Sequence, residues 1–480
     1  MDSENSRGAV SDRRACRKGR LQWRWAAAIA ALLAAAVIVG TVLGRGGGRT
    51  DFAVAEAEYP AMPVYPHEED CLDPETGEWD GAAFDRLYDP WWEAQRARWA
   101  DMPENYAAGL EDFFASSVRQ LLGDAEGENR VCSPVNLYVS LAMLAELTGG
   151  ESRQQILDLL ARPSLQDLRT QAAAIWKANY CDDGASTSVL ANSLWLNQDV
   201  PFISSTMKNL ARYYYASCYQ GEMGGEAFDQ ALRDWLNQQT GGLLEEQSAG
   251  LKMDPSTVLA LASTIYFRAR WQNEFLESNT APQVFHSPAG DLTCDFLRQP
   301  GQDDTYFWGE RFSAVSKSLD DYSGTMWFFL PDEGVTAEKL LEDPQFMEFL
   351  LMDGKWDRWP GSKYMIVNLA VPKFDVSSDL DLLSGLRALG VTDVLDPSVS
   401  DFSPMTKKAE GIYLSQAEHA ARVAVDEEGV TAASYTVMIA PGAGPPPEEE
   451  VDFVLDRPFL FAVTGIDGLP LFVGLVNRPV

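Results

Sequence analysis

The order in which hydrophobic periodicities follow one another along the chain is the tightest constraint on its fold. Residues 106–123 carry apolar side chains at helical spacing and end on Gly123. Ser133-Pro134 opens a second helix, because Ser caps a helix start and Pro suits its first turn; Gly149-Gly150 closes it. Further helical patterns cover residues 202–215 and 228–239, between β-branched and aromatic runs at 187–197 and 258–267 that read as largely buried strands. Strand patterns then dominate at 314–319, 325–330 and 363–374, with one more helix at 380–389 ending at Gly390. Helices first and strands later, without β-α-β alternation, predict an α+β fold of mainly antiparallel sheets.

The first 44 residues differ in kind. A basic stretch (residues 1–24) precedes residues 25–44, twenty residues without a charge. That length suits a helix crossing a bilayer of roughly 30 Å. It is longer than the apolar core of a cleaved signal, and the exit Thr41-Val42-Leu43-Gly44 is a poor cleavage site. A signal anchor is therefore favoured over a cleaved signal, with the basic flank in the cytoplasm and the rest outside. Residues 45–105 follow as an acidic stalk. Little regular structure is expected over 51–80, and one or two short aromatic helices, interrupted at Pro90, over 81–100. The main domain spans 106–480.

Composition excludes several functions. A net charge of −33 opposes nucleic-acid binding, which needs an excess of Lys and Arg. Three histidines and no closely spaced cysteine pair leave no metal site to expect. Cys132 and Cys218, in apolar surroundings, read as buried thiols. No G-x-S-x-G or HExxH motif is present, nor a His placed beside a nucleophile, so no catalytic residue and no cofactor are assigned and an enzyme is not expected.

The C-terminal third reads VPKFDVSSDLDLLSGLRALGVTDVLDPSVSDFSPM from Val371 and AEHAARVAVDEEGVTAASYT from Ala417, and closes with DRPFLFAVTGIDGLPLFVGLVNRP. Upstream, in matching order, stand ENRVCSPVNLYVSLAML, WLNQQTGG and IYFRARWQNEF. The ordered set, from about Tyr106 to the end, resembles the serpin family. That resemblance implies three mainly antiparallel sheets, eight or nine helices and an exposed reactive-centre loop. It also implies an extracellular, monomeric suicide inhibitor whose partner is a serine protease, held as a covalent acyl-enzyme after the cut loop inserts into the central sheet. Together with the anchor and the cysteine usage, it suggests a bacterial cell surface. The alternative is a non-inhibitory relative acting as a surface binding or carrier protein.

An inserting loop must place small or apolar residues on alternate positions. Beyond the hinge Glu428-Gly429, one face is Val430, Ala432, Ser434, Thr436, Met438 and Ala440. The other is Thr431, Ala433, Tyr435, Val437 and Ile439, and neither carries a charge. Val430 and Tyr435 depart from the family's usual Thr or Ser and small residue. Family spacing puts the scissile bond about fourteen residues past the glycine, roughly 45 Å of extended chain, at Ala443–Gly444. Met438–Ile439 is a second candidate. Alanine at the recognition position favours an elastase-like or subtilisin-like protease.

The resemblance also implies a polar cluster where the sheet opens, at Ser133, Asn136, Ser263 and His419, with Trp271 capping the upper end. Relatives commonly carry Ser at the place of Asn136 and Asn at that of Ser263. Such an exchange keeps one amide and one hydroxyl, so the two side chains are expected to touch.

Overall fold

The computed structural model describes residues 52–479, apart from 66–67, 74–75, 101, 243–244, 320–322, 353, 416 and 431–446. The chain divides into a unit Met1–Phe52 and a unit Ala53–Val480. Residues 1–51 lie outside the described residues, and the anchor expected at 25–44 lies with them. Among the described residues, no helix is long and apolar enough to cross a membrane.

Seventeen described strands form two sheets. The first joins β1 (Ala53–Ala55), β5 (Ala216–Gly221), β4 (Thr187–Asn197), β6 (Leu259–Arg270), β14 (Gly429–Val430), β13 (Glu418–Val425) and β12 (Phe374–Asp381) in that order, with β3 (Cys181–Asp182) on β4. The second runs β15 (Glu450–Val454), β11 (Ser362–Pro372), β8 (Gly290–Trp308), β9 (Phe312–Ser318), β10 (Thr325–Pro331), β16 (Phe459–Thr464), β17 (Pro470–Val476), β2 (Arg130–Cys132), with β7 (Ala281–Ser287) on β8. The expectation of three sheets is therefore corrected to two. The 19-residue β8 explains the merger: it pairs with β7 near its start, β11 along its middle and β9 at its end, so strands that could form separate sheets share one ladder.

Ten helices of five or more residues are described: α1 (Gly81–Ala100), α2 (Glu111–Leu122), α3 (Pro134–Leu147), α4 (Gly150–Leu159), α5 (Leu165–Asn179), α6 (Ser204–Tyr213), α7 (Glu226–Gln239), α8 (Ala337–Leu341), α9 (Pro344–Leu350) and α10 (Leu382–Ala388). Nine of them follow residue 106. The helix α3 is apolar on all sides and almost wholly buried, as a central core helix must be. Its start follows the sequence rule: Ser133 Oγ accepts the Asn136 N–H at 3.2 Å, and Pro134 fills the first turn. The helix expected from residue 106 starts only at Glu111, after a turn in which Gly109 has φ +76°. Asp381 ends β12 and caps α10, accepting the Leu383 N–H at 2.9 Å.

Residues 53–105 belong to the larger unit. β1 adds a strand to the edge of the first sheet, and Tyr59 packs on Trp176 with ring centres 5.1 Å apart. Trp91 Nε1 donates to Asp183 Oδ2 at 3.0 Å. Of the one or two short helices expected over 81–100, the chain forms one of 20 residues, α1, which Pro90 does not interrupt. Proline removes one helical hydrogen bond. The ring stack of Phe84, Tyr88, Trp91 and Trp92, with buried Trp91 edge-on to Tyr65, holds the two halves in line.

Candidate functional site

The first sheet is divided. β6 pairs with β4 from Leu259 to Arg268 on one side, and β13 pairs with β12 along its whole length on the other. Among the described residues the facing edges of β6 and β13 share no ladder pairs. Only β14 stands between them: Gly429 pairs with Arg270, and Val430 with both Ala269 and Val425. Val430 is buried, as expected for its face. Lower down, a cleft of roughly 110 Å³ lies between Leu261–Thr264 of β6 and Ala417 and Ala420 beside and on β13, with Leu232 and Leu236 of α7 along it.

Gly429 owes its place to close approach. Its φ is not in the left-handed region, but a Cβ there would sit 2.4 Å from the Ala269 carbonyl oxygen and 2.8 Å from Arg270 Cα. A glycine lets the hinge strand press against β6. Thr431, Ala432, Ala433, Ser434, Tyr435, Thr436, Ala443 and Gly444 lie outside the described residues, as does Met438–Ile439. The segment carrying them leaves the first sheet at Val430 and rejoins the second at Glu450, where β15 runs parallel to β11.

The turn before the hinge is tied at several points. Trp271, 1% exposed, donates from Nε1 to the Asp426 carbonyl at 2.9 Å and from its backbone N–H to that of Glu428 at 3.1 Å. Phe275 N–H donates to the Glu427 carbonyl at 3.0 Å. Lys373 Nζ and Thr280 Oγ1 reach the Glu427 carboxylate at 2.6 and 2.9 Å. Burial alone would raise the Glu427 pKa; these hydrogen bonds outweigh it and hold the group below its ordinary value. Behind the turn, Lys317 sits over the rings of Phe275 and Trp271, 4.4 and 5.4 Å from their centres. It donates to Gln299 Oε1 at 2.6 Å and to the Asn273 carbonyl. Burial pulls its pKa down to about 7, against an opposing pull from Asp304 and Glu274.

Further along the division, the first turn of α3 touches both halves of the sheet. Ser133 N–H donates to His419 Nε2 on β13 at 2.9 Å, which places the ring proton on Nδ1. Burial holds the His419 pKa down at about 4, so the ring is neutral. Asn136 and Ser263 of β6 meet at 2.6 Å between Oδ1 and Oγ. Ser263 Oγ also lies 2.6 Å from Asn192 Oδ1 of β4. One hydroxyl proton cannot serve two carbonyl oxygens, and Asn136 Nδ2 is otherwise buried without a partner. Turning the Asn136 amide resolves both: its NH2 donates to Ser263, and Ser263 donates to Asn192. Asn192 Nδ2 completes the chain by donating to the Tyr214 carbonyl at 3.3 Å.

The structure thus brings together all four polar residues expected where the sheet opens and sets Trp271 at the hinge. Asn192, Lys317 and the Lys373–Glu427 pair were not anticipated. Asn192 could have been found, as an amide at the centre of a strand buried on both faces. Lys317 lies in a short strand of mixed polarity and gave no such signal. Cys132 and Cys218 are fully buried, as expected, and burial pushes the Cys218 thiol up to about 12.

Comparison with known proteins agrees with this geometry. The family model described as Serpin (serine protease inhibitor) matches residues 108–479. Plasminogen activator inhibitor 1 of Bos taurus is 29% identical over 397 residues, covering 78% of this chain and 94% of its own. Alpha-1-antitrypsin 1-3 of Mus musculus is 27% identical, covering 78% and 89%. Among solved structures, the thermophilic serpin tengpin in its native state aligns with a TM-score of 0.69 at 23% identity, over 79% of this chain and 95% of that one. AtSerpin1 of Arabidopsis in its native stressed conformation aligns at 0.66 and 26%, over 77% and 97%. The chain belongs to the serpin family of serine protease inhibitors.

Proposed function

We propose that this protein is an extracellular suicide inhibitor of serine proteases with small-residue specificity, held at the cell surface by residues 25–44. Serpins are protease inhibitors rather than catalysts, and the mechanism proposed needs no catalytic group of the protein's own. The target protease attacks the bond Ala443–Gly444 and forms an acyl-enzyme. The freed arm Thr431–Thr436 and beyond then extends β14 downward between β6 and β13, carrying the protease with it before the ester is hydrolysed.

The observation that carries this reading is β14 itself: Gly429 and Val430 already pair with β6, and Val430 pairs with β13 as well, the start of the register that continued insertion would follow. Below them, the edges of β6 and β13 offer backbone donors and acceptors to an incoming strand. The uncharged alternate face from Val430 to Ala440 suits burial there. The cluster of Ser133, Asn136, Asn192, Ser263 and His419 would resist opening until cleavage releases the arm.

The test is to incubate the full-length chain with pancreatic elastase and with subtilisin and look for a complex that survives SDS. A covalent band with the protease supports the trap. Clean loop cleavage without a band would mean a substrate, and would favour the non-inhibitory surface binding or carrier protein instead.

A further inference from the structure

A face of α5 and α6 carries positive charge in a chain that is otherwise strongly acidic. With 71 acidic residues against 38 basic ones, an exposed cation has many carboxylates to choose from. Lys177, in the last turn of α5, and Lys208 and Arg212 of α6 are exposed. Among the described residues no carboxylate pairs with any of the three. Ser204, Lys208 and Arg212 recur every four residues and form the solvent stripe of α6, opposite its buried Thr206, Met207 and Leu210. The helix contains no acidic residue.

A hollow of roughly 270 Å³ has Thr170 and Lys177 on one side and Arg212, Tyr213 and Tyr215 on the other, and no acidic residue lines it. Arg169, also on its wall, is neutralised by buried Glu146 through bonds of 2.7 and 2.6 Å. The Arg212 guanidinium lies 5.4 Å from the centre of the Tyr213 ring, which holds it at the rim. Tyr215 turns the chain from α6 into β5 at φ +50°, rare for a bulky residue, and stacks on Trp176 with ring centres 3.6 Å apart. Two uncompensated cations at one hollow fit the oxygens of a phosphate group.

The place of this face in the chain indicates which phosphate. β1 pairs with β5 and packs against α6. Residues 45–52 join the apolar run 25–44 to β1, and fully extended they reach about 30 Å. An anchor at 25–44 therefore tethers β1 and α6 close to a bilayer surface. Salt screens charges farther than about 8–10 Å, so the local charge, not the net charge of the chain, decides contact there. Glu56, Glu58 and Glu104, the exposed acids nearest in the chain, pair with none of the three cations. We propose that this face docks on anionic lipid headgroups, with Lys177 and Arg212 holding a lipid phosphate at the hollow and Lys208 adding to the attraction. Three cations at such a surface favour the docked orientation by roughly a hundredfold. The proposal rests on the anchor reading of residues 25–44 and is independent of protease trapping.

The test uses the full-length chain reconstituted into vesicles of phosphatidylcholine alone or with phosphatidylglycerol added. Flotation with the neutral vesicles checks the anchor, and a chain left behind refutes the anchor itself. Acetylation of exposed lysines by a water-soluble reagent, read by mass spectrometry, checks the face. Lys177 and Lys208 should react about fivefold or more slowly on the anionic vesicles than on the neutral ones, and recover in high salt. Lys339, exposed on α8, should react equally on both. Arg212→Glu removes no labelled group and should abolish the protection of both lysines. A chain that floats with both vesicles yet labels equally at Lys177 and Lys208 overturns the docking and leaves the anchor intact. Protection by soluble dextran sulfate but not by anionic vesicles would give the face to a sulfated polysaccharide, and overturns it too.

Discussion

Asn136 on α3 and Ser263 on β6 meet at 2.6 Å, although 127 positions separate them in the chain. Their contact joins the helix to one half of the divided sheet, while Ser133, the residue that caps the same helix, joins it to the other half through His419. Asn136→Ala leaves the half-buried Ser263 without its amide donor, and should cost about 1 kcal/mol in urea unfolding. The exchange Asn136→Ser with Ser263→Asn keeps one amide and one hydroxyl. It should recover most of that loss, so the double-mutant cycle should give a coupling energy of about 1 kcal/mol or more. Strictly additive single losses would show that the pair does not act as a unit.

Lys317 gives a stability slope on the alkaline side. Its pKa is about 7 in the folded chain, against an ordinary value of 10.5. Between those values the unfolded state binds the proton and the folded state does not, so stability rises with pH across about 7 to 10.5. Below pH 7 both states are protonated, and the cost of burying the cation is fully present. The total is on the order of 4 kcal/mol. Lys317→Met should lack that slope, so its stability relative to the parent should be greatest near pH 6 and shrink towards pH 10. Parallel urea midpoints at pH 6 to 10 check this, and an equal difference at every pH would count against it.

His419 acts on the acid side. Its folded pKa of about 4 lies below the ordinary 6.5, so the unfolded chain binds the proton first as pH falls. The stability of the neutral, buried ring is present above pH 6.5 and is lost between 6.5 and 4, by about 3 kcal/mol. Protonation also removes the acceptor that Ser133 N–H uses. An imidazole NMR titration should find no protonation of this ring above pH 5, and a midpoint near 6.5 would contradict the burial argument.

Gly429 is tested by its smallest replacement. The Cβ of Gly429→Ala would lie 2.4 Å from the Ala269 oxygen, closer than real contacts allow. The hinge strand must then lift from β6, losing the pairing of Val430 with Ala269. The variant should trap protease less efficiently, seen as more cleaved inhibitor per complex formed. Unchanged partitioning would mean that the contact at β14 is not needed for insertion.

Much of this site was legible in the residues. Ser133-Pro134 announces a capped helix, and the ordered motifs after Val371 carry the resemblance that sets His419 and the hinge in place. The contact of Asn136 with Ser263 followed from a matched exchange of amide and hydroxyl. Other features depend on distances that no local pattern encodes. The single helix α1 survives Pro90 through tertiary ring packing. The merged sheet results from the length of β8, and its mixed polarity hides a strand of 19 residues. Lys317 is buried by Trp271 and Phe275, 46 and 42 positions away, so its own surroundings in the chain read as surface.

Cleavage of the loop should stabilise the protein. An arm extending β14 by about a dozen residues forms a similar number of new ladder hydrogen bonds, each contributing about 0.5–1.5 kcal/mol. With burial of Ala432, Ser434 and Thr436, the gain is roughly 10–20 kcal/mol, comparable to the roughly 5–15 kcal/mol that holds a typical domain folded. Protein nicked near Ala443 should therefore melt on the order of 10–30 °C above intact protein. Ala432→Arg places a charge on the face that must enter the core, so it should be cut normally, show little rise in Tm and form no SDS-stable complex. If nicked parent and intact parent melt together, the arm does not enter between β6 and β13. If nicked Ala432→Arg melts as high as nicked parent, insertion takes a different register from the one β14 begins.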